Sequence, residues 1–121
     1  MADHNDFGKK AEQLAADYLS EKGYQILERN YRSGKAEIDI IAFFENQIII
    51  VEVKARAEKR INEPKESVNA AKRKLLIQAA NDYIEQNERV EEVRFDIVSI
   101  IKKGKNFSIE HIPEAFLQND L

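Results

Sequence analysis

The chain has 121 residues, 43% of them hydrophobic, with four glycines and two prolines, which suits one domain (1–121) whose core needs no covalent staples. It has no cysteine, which excludes disulfides, thiolate metal sites and thiol nucleophiles, and it shows neither a secretory leader nor an apolar run of the roughly 18 residues that span a bilayer. Net charge is −3, which by itself argues against a nucleic-acid binder; the expectation is a soluble, cytoplasmic protein with no membrane partner.

From Phe7 to Lys22 apolar residues recur at helical spacing (Phe7, Ala11, Leu14, Ala15, Tyr18, Leu19), with Asp6 as N-cap and Gly23 at the C-terminal stop. Glu12 falls at the border of that stripe and reads either as a solvated carboxylate or as a group turned toward a site. Tyr24 to Tyr31 has modest strand character and leads into Arg32-Ser33-Gly34-Lys35, a basic turn.

Next along the chain is the stretch from Glu37 to Arg56. Residues 38–44 and 47–53 are rich in Ile, Val and Phe, and Glu45-Asn46 reads as the two-residue loop of an antiparallel hairpin. That loop pairs Phe44 with Gln47, Asp39 with Glu52 and Glu37 with Lys54, so Asp39, Glu52 and Lys54 converge on one face. Two facing carboxylates repel unless a cation lies between them or one is protonated. The near-continuous apolar runs on either side indicate strands covered on both faces, where charges are costly. Aspartate and glutamate oxygens suit Mg²⁺ or Mn²⁺, which keep several waters and polarise phosphoryl oxygens. Lys54 would position a water or offset developing charge. The alternative is a cross-strand ion-pair network on a solvated face.

The Ala57–Val68 segment reads as a loop of about a dozen residues. A helix from about Ala70 to Gln86 has Asn69 as its cap and Ala71, Leu75, Ala79 and Tyr83, with Leu76 and Ala80, as its buried stripe. Lys72, Arg73 and Lys74 occupy its first turn, where cations oppose the helix dipole and an anion would be welcome; Lys72 is a candidate for a phosphate contact or for a salt bridge to a hairpin carboxylate. Val93–Ile101 is a strong strand and Phe107–Ile112 a weaker partner, with Pro113 opening a tail. On the former, Asp96 needs a partner if its face is covered. His4 and His111 have no metal-ligand spacing. The sum is an α/β fold in the order α-β-β-β-α-β-β, a mixed sheet with helices packed on it. Charge is unevenly spread along it: residues 29–74 carry +4, against −3 before and −4 after, so the basic excess surrounds the hairpin.

A carboxylate on one strand and Glu-x-Lys on the next, after a helix bearing a glutamate, resembles the core of the PD-(D/E)xK nuclease superfamily, whose small members include archaeal Holliday-junction resolvases. More of the chain is similar to the narrower YraN-like family of uncharacterised bacterial proteins. The matching positions include Gly8, Glu12, Gly23, Tyr24, Arg29 to Arg32, Glu37 to Ala42, Val51 to Arg56, Lys72, Ala80, Tyr83 and Arg94 to Val98, over about residues 7–100. Ala36 departs from the glycine usual before Glu-Ile-Asp. The resemblance implies a restriction-endonuclease-like core and a metal-dependent DNA endonuclease, with Asp39 and Glu52 as metal ligands, Lys54 as catalytic lysine and Glu12 as auxiliary ligand. Glu37, Arg56, Lys72, Arg29 and Arg32 become auxiliary or nucleic-acid-binding candidates. DNA, branched DNA included, is the implied partner, and related resolvases suggest a homodimer. The competing expectation is a nucleic-acid-binding or adaptor protein that keeps the fold without turnover.

Overall fold

The computed structural model describes residues 2–57 and 68–117. They form α1 (Ala2–Glu21), β1 (Gln25–Ser33), β2 (Ala36–Phe44), β3 (Gln47–Ala57), α2 (Ala70–Gln86), β4 (Glu92–Lys103) and β5 (Asn106–Phe116), the expected order. The loop expected between Ala57 and Val68 falls outside the described residues over 58–67.

Glu45 and Asn46 both adopt left-handed backbone, at φ 49° and 62°. This is the type I′ geometry whose twist matches that of the flanking strands. It closes the β2–β3 hairpin in the expected register, Phe44 opposite Gln47 and Ile40 opposite Val51. Strand β1 pairs antiparallel with β2, β3 runs parallel to β4, and β4 turns back antiparallel into β5, giving the sheet order β1-β2-β3-β4-β5. The parallel pair requires a crossover, and α2 lies within it.

Helix α1 begins at Ala2, before the expected cap, so Asp6 lies inside the helix rather than at its start. Its end is as expected. Gly23 at φ 96° lets its own N–H reach Ser20 O at 3.1 Å and the Tyr24 N–H reach Leu19 O at 2.9 Å, a Schellman closure. Helix α2 starts where Asn69 accepts the Lys72 N–H at 2.9 Å. Its buried row is Leu76, Ile77, Ala79, Ala80 and Tyr83, whereas Ala71 and Leu75 are exposed. The helix is thus rolled from the expected stripe, toward the side where Tyr83 packs edge-on against Tyr31. Pro113 does not open a tail. Strand β5 continues to Phe116 through a bulge near Glu114 (φ 50°) and stacks Phe116 on Phe95 at 4.9 Å. An edge strand tolerates proline because its outward N–H has no ladder partner to lose.

The two faces of the sheet are covered separately. Ala11, Ala15, Ala16 and Leu19 of α1 pack with Ile40, Ala42, Ile49, Val51, Val98 and Ile100. Leu76, Ile77, Ala80 and Tyr83 of α2 pack with Ile38, Ile41, Ile48, Ile50, Phe95 and Ile97. This accounts for the uninterrupted apolar runs of β2 and β3, which are buried on both sides. Strand β2 breaks its own alternation once. Ile38 packs on the α2 side and Ile40 on the α1 side, although residues two apart should share a face. The switch occurs at Asp39. Across from it on β1, between the pairs Arg29–Ile40 and Tyr31–Ile38, Asn30 is in the left-handed region at φ 55°, so both strands bend at one level.

Candidate active site

The β2–β3 ladder stops at Ile40–Val51. By the alternation of an antiparallel ladder, Ile38 and Val53 would form the next hydrogen-bonded pair. Instead the Val53 N–H donates to Asp39 Oδ2 at 2.8 Å. The kink at Asp39 thus places a carboxylate where a backbone carbonyl would have been, in the wedge between two parting strands. The sequence expectation of Asp39–Glu52 and Glu37–Lys54 as ladder pairs is corrected here, because pairing ends one step earlier. Glu37 pairs with Arg32 on β1, at 3.6 Å, and not with Lys54. Ala36, where the resemblance implies glycine, opens β2 without left-handed backbone, so its Cβ is accommodated.

Strand β3 keeps strict alternation and carries Glu52, Lys54 and Arg56 on the α2 side, in line with Ile48 and Ile50. Glu52 is only 4% exposed. Its Oε2 receives two ammonium groups, Lys72 Nζ from the first turn of α2 at 2.7 Å and Lys54 Nζ at 3.4 Å. Of the two readings open for Lys72, the salt bridge to a hairpin carboxylate is the one the structure contains.

Among the described residues no cation stands within ion-pair distance of Asp39. Burial first, then the charge of Glu52, push its carboxyl from 3.8 up to about 7, against the lowering effect of the Val53 N–H. Glu12 and a side-chain hydrogen bond with Glu52 add to the rise. For Lys72, burial pulls the ammonium down, but the hydrogen bond and charge of Glu52, with Asp39 and Glu37 behind them, outweigh it and the net direction is up.

The donor set fits a hard divalent cation: two adjacent carboxylates, no sulfur, and a repulsion that a cation would relieve. Among the described residues no group of three acidic or histidine side chains lies close enough to hold a metal ion, so an ion here would rest on Asp39 and Glu52 and take its other ligands from water or substrate. Glu12 is on α1, which packs on the other face of the sheet; its charge is felt at Asp39, but it does not join the pair. Arg29 also lies to the α1 side, hydrogen-bonded to Gln13 at 3.0 Å.

Beside Asp39 an open cavity of about 290 Å³ is lined by Lys35, Ala36, Glu37, Asp39, Lys72, Leu75 and Leu76. Sequence pattern alone gives no reason to place Lys35 and Leu75 at the site. Lys35 sits in the basic turn after Gly34, and Leu75 belongs to a helix whose roll its pattern does not reveal.

A second buried carboxylate lies on the α1 side. Asp96 is 1% exposed and accepts from Arg94 Nε and Nη2, both at 2.9 Å, and from the Glu114 N–H at 3.0 Å. His111 Nε2 stands 2.7 Å from it, between the rings of Tyr18 and Tyr24. Burial raises the Asp96 carboxyl, but these bonds outweigh it and the net shift is downward. Arg94, bonded to Asp96, is raised and also donates to Tyr24 OH at 2.8 Å.

The chain matches known proteins over nearly its whole length. The model of the uncharacterised protein family UPF0102 matches residues 11–100. A UPF0102 protein of Flavobacterium psychrophilum is 48% identical over 116 residues, 96% of this chain and 98% of the relative. One of Bacteroides thetaiotaomicron is 45% identical over 116 residues, 96% of each chain. One of Porphyromonas gingivalis is 40% identical over 118 residues, 96% of this chain and 87% of the relative.

Proposed function

The chain belongs to the uncharacterised protein family UPF0102, and on that premise we propose that it is a Mg²⁺- or Mn²⁺-dependent endonuclease hydrolysing phosphodiester bonds of DNA, with branched DNA among its substrates. The observation that carries this reading is the Asp39–Glu52 pair, two carboxylates held together in a partly buried wedge with Asp39 raised to about 7. Such an arrangement costs stability and is relieved by a cation. The resemblance to the PD-(D/E)xK nucleases supports the same assignment.

The chemistry supplied by bound Mg²⁺ or Mn²⁺ is Lewis-acid polarisation of a phosphoryl oxygen and acidification of water. The chain's own residues do the rest. The Val53 N–H fixes Asp39 by Oδ2, and Asp39 and Glu52 would hold the ion. Lys54, with Nζ 3.4 Å from Glu52 Oε2, orients the attacking water or offsets charge developing on the phosphoryl oxygens. Lys35 and Lys72 line the cavity and suit contact with the phosphate backbone; Arg32, paired with Glu37, would add charge at its edge. Glu12 would serve through water. A two-fold junction would match a homodimer.

The test is cleavage of single-stranded, duplex and four-way-junction DNA by the purified chain with added Mn²⁺. Nicking or cutting that disappears with chelator and in Asp39→Ala is expected. No cleavage across the panel, with no Mn²⁺ binding by calorimetry, would refute the proposal. The competing reading, a binding or adaptor protein without turnover, draws on the two lysines at Glu52, which offset that carboxylate without any ion. DNA binding indifferent to Mn²⁺ and to Asp39→Ala would favour it.

A further inference from the structure

Two lysines converge on a single oxygen, and they are held differently. Lys54 rises from β3 beside Glu52 and its side chain is 20% exposed, whereas Lys72 reaches across from α2 and is 44% exposed, although its 2.7 Å contact is the closer. The four-carbon stem of Lys72 is therefore not locked by packing. Its backbone is anchored independently, through its N–H to Asn69 Oδ1, so the side chain can swing without moving the helix. The space into which it would swing is the cavity beside Asp39, whose lining already includes Lys72 together with Lys35 and Leu75.

A divalent cation on Glu52 would lie within a few ångströms of both ammonium groups, and like charges at that distance repel strongly in a partly buried site. The freer lysine yields. Once off Glu52, Lys72 and Lys35 present two cations to the cavity next to Asp39, a setting that suits a phosphate of a DNA strand. We infer that Lys72 is a displaceable counter-ion, holding Glu52 until a divalent cation takes it and then passing to a DNA phosphate, so that metal and DNA binding are coupled through one side chain. This rests on the nuclease reading above.

Linkage makes the coupling measurable from either side. In calorimetry on the full chain without DNA, Lys72→Met binds Mn²⁺ about five- to tenfold more tightly than wild type, a coupling of the usual size. Lys74→Met removes the same charge from an exposed position in the same turn and stays within about twofold. In fluorescence anisotropy with a labelled duplex, metal-free Lys72→Met loses no more affinity than Lys74→Met, because Lys72 is then engaged with Glu52. Added Ca²⁺ tightens DNA binding by the wild type about fivefold more than it does for Lys72→Met, in which only direct contact of the ion with phosphate remains. Melting curves establish that the variant folds, and Lys72→Gln replaces it if it does not. Mn²⁺ affinity unchanged or weakened in the Lys72 variant, or Ca²⁺ tightening undiminished in it, overturns the inference while leaving the nuclease reading intact. Absence of Mn²⁺ binding in wild type and variant overturns both.

Discussion

Asp39 on β2 is a half-buried carboxylate and Asp96 on β4 a fully buried one, and the difference in their ionisation lies in what surrounds each. Asp96 takes hydrogen bonds from a guanidinium and a backbone N–H and has an imidazole nitrogen 2.7 Å away. Asp39 takes one backbone N–H among the described residues and faces another carboxylate. The first is held below the ordinary carboxylate range and the second is pushed above it. Loss of water contact raises both carboxyls, and Asp96 is the more deeply buried of the two, so burial does not mark a functional carboxylate. The balance of donors against acceptors does, since a buried acid left short of donors has capacity for a ligand.

The largest effects should separate the two sites by activity. Asp39→Ala, Glu52→Ala and Lys54→Ala are each expected to abolish Mn²⁺-dependent cleavage in initial-rate assays, while Asp96→Asn retains it in proportion to the folded fraction. Equal loss in both sets would dissolve the contrast.

Stability should divide the sites the opposite way. Asp96→Ala leaves Arg94 without its carboxylate partner, with Tyr24 OH as its remaining short contact, and is expected to cost about 3–5 kcal/mol in urea unfolding. Asp39→Asn relieves repulsion and, in metal-free protein at pH 8, should gain on the order of 2 kcal/mol, less than the full ionisation cost of so shifted a group. Mn²⁺ should narrow that gap by stabilising the wild type alone.

The pH dependence of stability has opposite sign at the two sites. Between about 4 and about 7 folded Asp39 keeps a proton that the unfolded chain has lost, so its contribution falls as pH rises across that window. Asp96, depressed, contributes stability that is complete above the unfolded value near 3.8 and is lost as pH falls through its lower folded value. Urea midpoints from pH 3 to 8 should show the first slope vanish in Asp39→Asn and persist in Asp96→Asn. The smallest effect concerns Glu12. Glu12→Gln should lower the Asp39 titration midpoint, followed by carboxyl NMR, by less than Glu52→Gln does, because Glu12 ranks below Glu52 among the charges acting on Asp39.

Much of this was readable along the chain because it depends on neighbours in sequence. The Glu45-Asn46 loop sets the hairpin register through local turn geometry, the alternation of β3 puts Glu52 and Lys54 on one face, and Gly23 and Asn69 mark helix ends through their own backbone and side-chain chemistry. The roll of α2 was not readable. Its two apolar rows, one through Ala71 and Leu75 and one through Leu76 and Ala80, are of similar strength, and only packing against β1 and β2 chooses between them. The extension of β5 past Pro113 was hidden for a similar reason: it depends on Phe95 and Phe116 meeting across the ladder.

The sequence by itself therefore determined which charged residues lie near the hairpin, their order along the strands and the family to which the chain belongs. Tertiary structure decided how those charges are held. The face switch at Asp39 needs Asn30 opposite it on β1, the ladder ends where two strands part, and Lys72 reaches Glu52 only because α2 packs over the sheet. Period-2 alternation carries no information about where a strand will break its own period, and helical spacing carries none about which residue a lysine will reach across a fold.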